Sequence, residues 1–483
     1  MNEVHDKVLF QHLSGITQSA ITKINKLIET RSIHISRHFK WPSMSKYDFP
    51  SGMPSFSESS FSDGQPYDYT SVFQKQWRDK PEIEITELTG YPDYQSYAMN
   101  NEGFRNKFGV NEEKDKENEY KIFKICIQSV AESIIERYLH MYREDKDEFS
   151  IEYFKRIYQP IENSIFNKKL NIDIVIPILF LKFNFEKFEI DSNTYIEKMD
   201  NIMQLSRTRI SNYAVPVNQT VIGSATHALV IKNYSLDNQS KWSLSKLLGE
   251  QYAYPTEIID DFFNCFRISL GYETGYAQLI SRPIDWCESY EAYLRPMYGT
   301  LIRAYPTKFD EYFWLNPDLP WVSELQIEQV GAMFRKIQSE SNQKLKIANH
   351  RLKYCYLRDN EQDAIIDAMI ALETLLSDGE KTELNHKLAL RMAAILNLSE
   401  EITQSPQEIF TTVKKIYDYR SAIVHGNPKA DNKREIKLEG TTPTPAVEKA
   451  IEYLRLAITI IVENPQYLKA SKIDEDLILK SLN

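Results

Sequence analysis

Residues 406–425 form the segment that most constrains the fold of this chain. Its apolar side chains recur every three or four positions, which predicts one long helix facing a core: Ile409, Val413, Ile416, Tyr417 and Val424. Gly426, followed by Asn-Pro, predicts that this helix ends near His425. Arg420 falls on the same apolar line. A charge on a core-facing line costs folding free energy unless it is paired or used, which makes Arg420 a candidate functional residue.

Two preceding segments show the same interruption. Residues 363–376 and 383–396 both have helical apolar spacing, broken by Glu373 in the first and by Arg391 in the second. We therefore expect Glu373, Arg391 and Arg420 to face one shared core. One carboxylate can neutralise one guanidinium in a bidentate pair, which would leave the other arginine to hold an anion such as a phosphate. Replacing Glu373 by Gln would then leave an arginine buried and unpaired, and would cost a few kcal/mol of stability.

Residues 325–470 contain ALETLL, NHKLALRMAAIL and YDYRSAIVHG in this order, and the set resembles the Apea-like branch of the HEPN superfamily. The residues that carry the resemblance are Glu373, Arg391, Tyr419, Arg420, Ser421, His425 and Gly426. Such domains share an Arg-x(4 to 6)-His motif, and many have Asn, Asp or His where this chain has Ser421. The resemblance implies an all-α HEPN helical bundle over residues 326–483, assembled as a homodimer or a higher homo-oligomer.

The resemblance also implies a metal-independent endoribonuclease that needs no cofactor. In that chemistry an RNA 2′-hydroxyl attacks the adjacent phosphate and leaves a 2′,3′-cyclic phosphate and a 5′-hydroxyl. Arg420 would stabilise charge on the phosphoryl oxygens, His425 would move the proton, and Ser421 would orient the phosphate or the imidazole. The supporting residues are Glu373, Arg391 and Tyr419, and for Arg391 a structural role is favoured over a catalytic one.

Basic residues surround the motif, and those expected to contact an RNA backbone are Lys414, Lys415 and Lys429. A solvated helix face and loop would show the same pattern. The net charge of −10 argues against a chain that binds nucleic acid over its whole surface. Because residues 341–470 contain equal numbers of basic and acidic side chains, the excess negative charge belongs to the other residues. An acidic N-terminal half could occlude the site until a trigger arrives.

Composition indicates a soluble, cytoplasmic protein. No apolar run near residue 1 suits a signal peptide, and the most apolar stretch, IVIPILFLKF at 174–183, is too short to cross a bilayer. The four cysteines are scattered without a CxxC pair, so neither disulfides nor a zinc site are expected. His34 and His38 have the spacing of helical metal ligands, but no cysteine or third histidine lies nearby, which favours a surface or packing role.

The preceding part of the chain divides into two regions. Residues 1–115 form an N-terminal region with an irregular Ser- and Pro-rich connector at 43–70, and residues 116–325 form a mixed α/β sensor or regulatory module. A helix is predicted at 116–143 with these residues inward: Ile122, Ile125, Cys126, Val130, Ile134 and Tyr138. The other predicted elements are strands at 172–183, 186–191 and 226–232, a helix at 255–268, and turns with short pieces over 280–321.

The combined prediction is a multidomain RNA-cleaving effector with a mixed α/β N-terminal and middle region. We expect it to cut tRNA or another cellular RNA in bacterial antiphage defence or toxin-like shutdown of translation, with a phage protein as the trigger and no membrane partner. The alternative is a non-catalytic dimerisation or binding scaffold that recognises a protein partner, in which Arg420 only ties the core and His425 caps its helix. A third interpretation is a toxin silenced by a nucleotidyltransferase that modifies Tyr417 or Tyr419.

Overall fold

The structure is a computed structural model that describes residues 4–33, 35, 42–59, 68–74, 81–109, 116–142, 148–210, 216–312, 319–379, 383–438 and 442–480. The predicted histidine pair, His34 and His38, lies outside these ranges. Within them the chain is mixed α/β, with a central antiparallel sheet, helices before it and a mainly helical C-terminal region.

The helices are numbered along the chain. They are α1 (Lys7–Glu29), α2 (Thr70–Phe73), α3 (Tyr91–Asn100), α4 (Glu102–Phe108), α5 (Lys116–Tyr142), α6 (Ile151–Phe166), α7 (Asn201–Thr208), α8 (Gln219–Gly223), α9 (Lys241–Leu248), α10 (Thr256–Leu270), α11 (Lys308–Tyr312), α12 (Glu324–Ser339), α13 (Gln343–Leu357), α14 (Glu361–Leu376), α15 (Leu384–Leu396), α16 (Pro406–Val424), α17 (Ala446–Glu463) and α18 (Ala470–Ile473). A π-helical segment, Asp474–Leu479, continues α18.

The strands are β1 (Ser43–Asp48), β2 (Pro54–Ser59), β3 (Lys169–Pro177), β4 (Lys182–Phe183), β5 (Lys187–Glu189), β6 (Thr194–Lys198), β7 (His227–Asp237), β8 (Tyr276–Pro283), β9 (Tyr298–Ala304), β10 (Trp321–Val322), β11 (Glu435–Ile436) and β12 (Thr444–Pro445). The central sheet has the order β5-β6-β7-β3-β8-β9, and every neighbouring pair in it is antiparallel. The strands β1 and β2 form a separate hairpin, β4 pairs with β10 in parallel, and β11 pairs with β12.

The central sheet is buried on both faces, because successive side chains of a strand point to opposite sides. On β3, Ile172 and Ile174 belong to the core shared with α10 and the C-terminal helices. Val175, one position on, belongs with Val230 of β7 to the core on the other face. That second face packs under α7, α8 and the loop of the β1–β2 hairpin, which contributes Met53. The N-terminal helices α1 and α3 to α6 surround a third core.

The helix α10 joins the sheet to the C-terminal helices. Phe262 on α10 packs edge-on against Phe334 on α12, with 5.4 Å between the ring centroids. Arg455 on α17 donates a hydrogen bond of 3.0 Å to the carbonyl oxygen of Ile268. Apolar residues of the sheet and of α12 to α17 therefore belong to one continuous core. A fragment beginning near residue 325 would expose the buried side of α12, so functional tests require the full chain.

The predicted helices in the C-terminal region are confirmed within two residues at each end. The predictions 363–376, 383–396 and 406–425 correspond to α14, α15 and α16. The helices predicted at 116–143 and 255–268 correspond to α5, with residue 143 outside the described ranges, and to α10.

Other predictions are wrong in detail. The connector at 43–70 is not irregular throughout, since it contains the β1–β2 hairpin. Residues 280–321, for which turns with short pieces are predicted, contain the end of β8, all of β9 and α11. The expected strand at 172–183 ends at Pro177 and resumes only as the short β4. Ile125 is exposed, and α5 buries Phe123 and Ile127 instead. The C-terminal region is helical except for the β11–β12 ladder, so it is not all-α.

Candidate functional site at the end of α16

Both ends of α16 are fixed by local hydrogen bonds. At its start Ser405 and Glu408 form a capping box, in which the Ser405 hydroxyl accepts from the Glu408 amide at 3.3 Å and the Glu408 carboxylate accepts from the Ser405 amide at 2.7 Å. At its end Gly426 takes a left-handed φ of +62°, and its amide donates to the Ile423 carbonyl. The Asn427 amide donates to the Ala422 carbonyl at 2.8 Å, which completes a Schellman motif around His425.

The apolar line of α16 leaves the protein interior at its last turns. Ile409, Val413 and Ile416 are buried, whereas the Arg420 side chain is 23% exposed and Val424 is 51% exposed. The expectation that Val424 faces the core is therefore wrong. Arg420 occupies the position at which α16 passes from buried to exposed, and this position lets an arginine stay on an apolar line without full dehydration.

The Arg420 guanidinium is paired only loosely. Its Nη2 lies 3.9 Å from Glu373 Oε1 on α14, which is an ion pair without a hydrogen bond. Among the described residues neither the buried Nε of Arg420 nor the buried Oε1 of Glu373 has a hydrogen-bond partner. The Tyr417 ring lies 5.9 Å from the guanidinium carbon. Burial raises the pKa of Glu373, and the neighbouring Arg420 offsets that effect only in part. The predicted pairing of Glu373 with an arginine thus exists, but not as a bidentate pair.

Arg391 has a different partner from the one expected. It is 4% exposed and makes the bidentate pair, with Nε 2.8 Å from Asp474 Oδ1 and Nη2 2.7 Å from Asp474 Oδ2. Its Nη1 also donates to the Leu376 carbonyl at 2.9 Å. The expectation that Glu373 is the one carboxylate for both arginines, so that one of them stays without a counter-ion, is therefore wrong, and Asp474 is the supporting residue that sequence reasoning missed. The structural role favoured for Arg391 agrees with these contacts.

The other motif residues lie on the outer side of the same helix end. His425 is exposed, and its imidazole makes no hydrogen bond or ion pair with any residue that the structure describes. Ser421 is half-buried one turn before it, so the two side chains share a face. Arg420 lies about 140° around the helix axis from His425, at about 100° per residue. A single helix therefore presents Arg420 and His425 at opposite edges of one exposed surface.

The two tyrosines beside Arg420 differ in access. Tyr419 is 2% exposed, and burial raises the pKa of its hydroxyl, with Asp431 and Glu361 adding to the increase. Tyr417 is half-buried on the side of α16 that carries Arg420 and Ser421. Of the two tyrosines proposed as sites of modification, Tyr417 is the one that an enzyme could reach.

The predicted RNA-binding lysines do not form one group. Lys414 is exposed and lies seven residues before Ser421, close to two helical turns, so it shares the face of Ser421 and His425. Asp418 is exposed on the same face, and its carboxylate reduces the net positive charge of that face. Lys415 points elsewhere and donates to the Lys437 carbonyl. Lys429 is exposed in the segment that follows the helix.

An open groove of about 480 Å³ is lined in part by Glu373. Its lining includes Lys344, Thr374, Ser377 and Asp378. Lys344 is already engaged there, since its Nζ donates to the carboxylate of Asp378 at 2.7 Å and to the Ser377 carbonyl at 3.1 Å. The groove therefore offers Glu373 access to solvent, and the lysine in its lining, Lys344, is paired with Asp378.

Across the described ranges no group of three or more His, Cys, Asp or Glu side chains is placed to hold a metal ion. Among the described helices, none combines the length and the apolar character that crossing a bilayer requires. Comparison with known proteins gives no match to a family model, to a curated protein or to a solved structure. The Apea-like resemblance therefore stays a prediction based on the motif residues.

Proposed function

We propose that the end of α16 is the reactive centre of a metal-independent endoribonuclease related to the Apea-like HEPN domains. The observation that carries this proposal is the state of Arg420. Its guanidinium is half-buried, faces one carboxylate at 3.9 Å and makes no hydrogen bond with the described residues. A guanidinium with free N–H groups beside solvent is suited to bind the non-bridging oxygens of a phosphate.

The roles of the other residues follow from their positions. The exposed imidazole of His425 would take the proton from the RNA 2′-hydroxyl or give one to the departing 5′-oxygen. In this step the 2′-oxygen to phosphorus bond forms and the phosphorus to 5′-oxygen bond breaks, so no water or oxidant is consumed. Ser421 would orient the phosphate or the imidazole, and Glu373 would hold the guanidinium near its present position. Lys414 would contact the RNA backbone on the same face.

A second copy of the chain would complete this centre. One helix end carries one His425, whereas the reaction needs both a proton acceptor and a proton donor. Two copies facing each other would supply two imidazoles and bring the Arg420 of one chain nearer to the His425 of the other. The exposed Val424 between these residues gives such an interface an apolar contact. We therefore infer a homodimer through the C-terminal helices.

The wider biological role rests on the resemblance. We extend the proposal to an effector that cuts tRNA or another cellular RNA in antiphage defence or toxin-like shutdown of translation. The sheet module and the N-terminal helices would then sense the trigger, for which a phage protein is the proposed ligand. The continuous core between the sheet and the C-terminal helices supports mechanical coupling between these parts.

The experiment is cleavage of total bacterial tRNA by the full chain in EDTA, with the product ends tested for cyclic phosphate. We expect cleavage by the wild type and a loss of about a hundredfold or more in His425→Ala. The matched control is His386→Ala, which removes another exposed histidine of the C-terminal region, one that packs edge-on against Phe410 with 5.3 Å between the ring centroids. Equal cleavage by the wild type and His425→Ala would reject the proposed centre. An intact dimer without cleavage by any variant, with or without the trigger, would favour the scaffold.

A further inference from the structure

A polar cavity of about 650 Å³ lies between α10, α12 and α13, away from the end of α16. Its volume falls in the range of small-molecule sites. The helix α10 belongs to the layer that covers the sheet, and α12 and α13 begin the C-terminal helices. An occupant of this cavity would contact both parts of the molecule.

The floor of the cavity is formed by Asp260, Asp261, Asn264 and Asn349. Of its two carboxylates, only one is paired with a cation within the described ranges. Asp260 is fully engaged, since its Oδ2 accepts from Lys353 at 2.6 Å and its Oδ1 from the Tyr276 hydroxyl at 2.8 Å. The neighbouring Asp261 accepts only from two amides, those of Gln338 at 2.8 Å and of Asn349. No Lys, Arg or His among the described residues pairs with Asp261.

Asn349, which also lines the cavity, carries a second acceptor, and this acceptor has no donor among the described residues. Asn349 is 1% exposed, and its side-chain amide donates to Asp261. Its backbone carbonyl accepts from the side-chain amide of Asn264 at 2.8 Å. Its side-chain oxygen is buried and has no hydrogen-bond partner among the described residues. Arg267, which lies behind the cavity, holds Asn264 in place through a bond of 2.6 Å to its Oδ1. A buried acceptor without a hydrogen-bond donor costs folding free energy, so these residues favour a ligand that donates hydrogen bonds.

The charge of the lining points the same way. Carboxylates outnumber lysines, because Glu257 and Glu340 join the two floor aspartates, whereas the only lysines in the lining are Lys346 and Lys353. Burial raises the pKa of Asp261 to about 6, and the carboxylates of Glu257 and Asp260 add to the increase. A metal ion is a poor candidate, because the described residues contain no group of three or more ligating side chains.

We propose that this cavity binds a small organic cation with a primary ammonium or guanidinium group that donates hydrogen bonds to Asp261. The cation would replace the missing partner of the carboxylate, and its remaining N–H groups would face the other acceptors of the lining. Binding would stabilise the junction of α10 with α12 and α13. This inference does not depend on the nuclease proposal, because none of its residues belongs to the end of α16.

The test is a thermal melt and a calorimetric titration of the full chain with putrescine, at constant ionic strength. The neutral control is the diol of the same chain length. We expect putrescine to raise the melting temperature, the diol to leave it unchanged, and Asp261→Asn to weaken binding about tenfold or more. Glu250→Gln, which removes an exposed carboxylate outside the cavity, should bind as the wild type does.

A second variant keeps the test decisive if Asp261→Asn fails to fold. Glu257→Gln changes only an exposed carboxylate of the cavity lining and should weaken putrescine binding by about twofold to threefold. Wild-type binding by Asp261→Asn would overturn the proposal; if that variant does not fold, wild-type binding by Glu257→Gln would do so. An equal effect of the diol would also overturn it. Stabilisation by Ca²⁺ through Asp261, without an effect of putrescine, would overturn the assignment to an organic cation.

Discussion

Arg391 and Arg420 lie on adjacent helices of one helical region, and they differ in how their charges are satisfied. Arg391 is fully buried and has a bidentate carboxylate partner and a backbone carbonyl. Arg420 is less buried, its carboxylate partner stands at 3.9 Å, and it makes no hydrogen bond with the described residues. The sequence pattern alone makes the two arginines look equivalent, because each interrupts an apolar line.

A charge that supports the fold and a charge that binds a substrate can be told apart by their partners. A buried charge that only supports the fold needs all of its partners within the protein, as Arg391 has. A charge that binds a substrate must keep hydrogen-bond capacity free and must be reachable. Arg420 has both properties, since it lies where α16 leaves the interior. Asp261 resembles Arg420, because it has no close charged partner among the described residues. Asp260, which is paired with Lys353, resembles Arg391.

The largest effect on stability should come from removing the partner of Arg391. Asp474→Ala would remove the bidentate carboxylate partner of the buried Arg391 guanidinium, and we expect a loss of about 3 kcal/mol in the free energy of unfolding. The control is Asp476→Ala in the same π-helical segment, which breaks only the exposed pair with Lys480 and should cause no measurable change. Urea unfolding of both variants measures the difference. Equal stability of Asp474→Ala and the wild type would remove the distinction between the two arginines.

Asp261 gives a smaller effect that depends on pH. Its pKa is about 6 in the folded chain against 3.8 as the ordinary value, so the folded state binds its proton more tightly than the unfolded state does. Ionised Asp261 therefore lowers stability above pH 6, and the cost shrinks as the pH falls toward the ordinary pKa. We expect the wild type to gain about 1 kcal/mol relative to Asp261→Asn between about pH 7.5 and pH 5. Parallel stability curves for the two proteins would contradict this expectation.

The smallest effect should come from Glu373. A shared, tightly paired core predicts a loss of a few kcal/mol for Glu373→Gln, but the observed separation of 3.9 Å and the raised pKa of Glu373 lower that expectation. We now expect a change within about 1 kcal/mol, because Arg420 stays partly hydrated without this partner. Thermal and urea unfolding would measure it. A loss of about 3 kcal/mol would mean that Arg420 is held as rigidly as Arg391.

The parts of the site that follow from local pattern could be predicted from the sequence. The period of the apolar residues and Gly426 locate α16 and its end. The charges that interrupt the apolar lines predict that Glu373 lies near an arginine, but they do not distinguish Arg420 from Arg391. Asp474 could not be found in this way, because it lies 83 residues from Arg391 in a short π-helical segment. The exposure of Arg420 and Val424 at the end of α16 could not be predicted either. Periodicity identifies the face of a helix that packs on the core, but not the residue at which this packing ends.

The sheet was harder to predict than the helices. The strand β9 lies among prolines that favour turns. The strands β1 and β2 are rich in serine and lack the β-branched residues expected of a strand. Each of these strands is defined by pairing with the neighbouring strand in the sequence, β1 with β2 and β9 with β8, and composition alone does not show that pairing. The cavity between α10, α12 and α13 is formed by residues from separate segments.

The most direct test of the central claim compares Arg420→Ala and Arg420→Lys with the wild type in two measurements on the same full-length preparations. One is the rate of tRNA cleavage in EDTA, and the other is the free energy of unfolding. We expect Arg420→Ala to cut about a hundredfold to a thousandfold more slowly, with stability within about 1 kcal/mol of the wild type, and Arg420→Lys to restore only part of the rate. Wild-type cleavage by Arg420→Ala, or loss of cleavage explained by unfolding, would contradict the central claim.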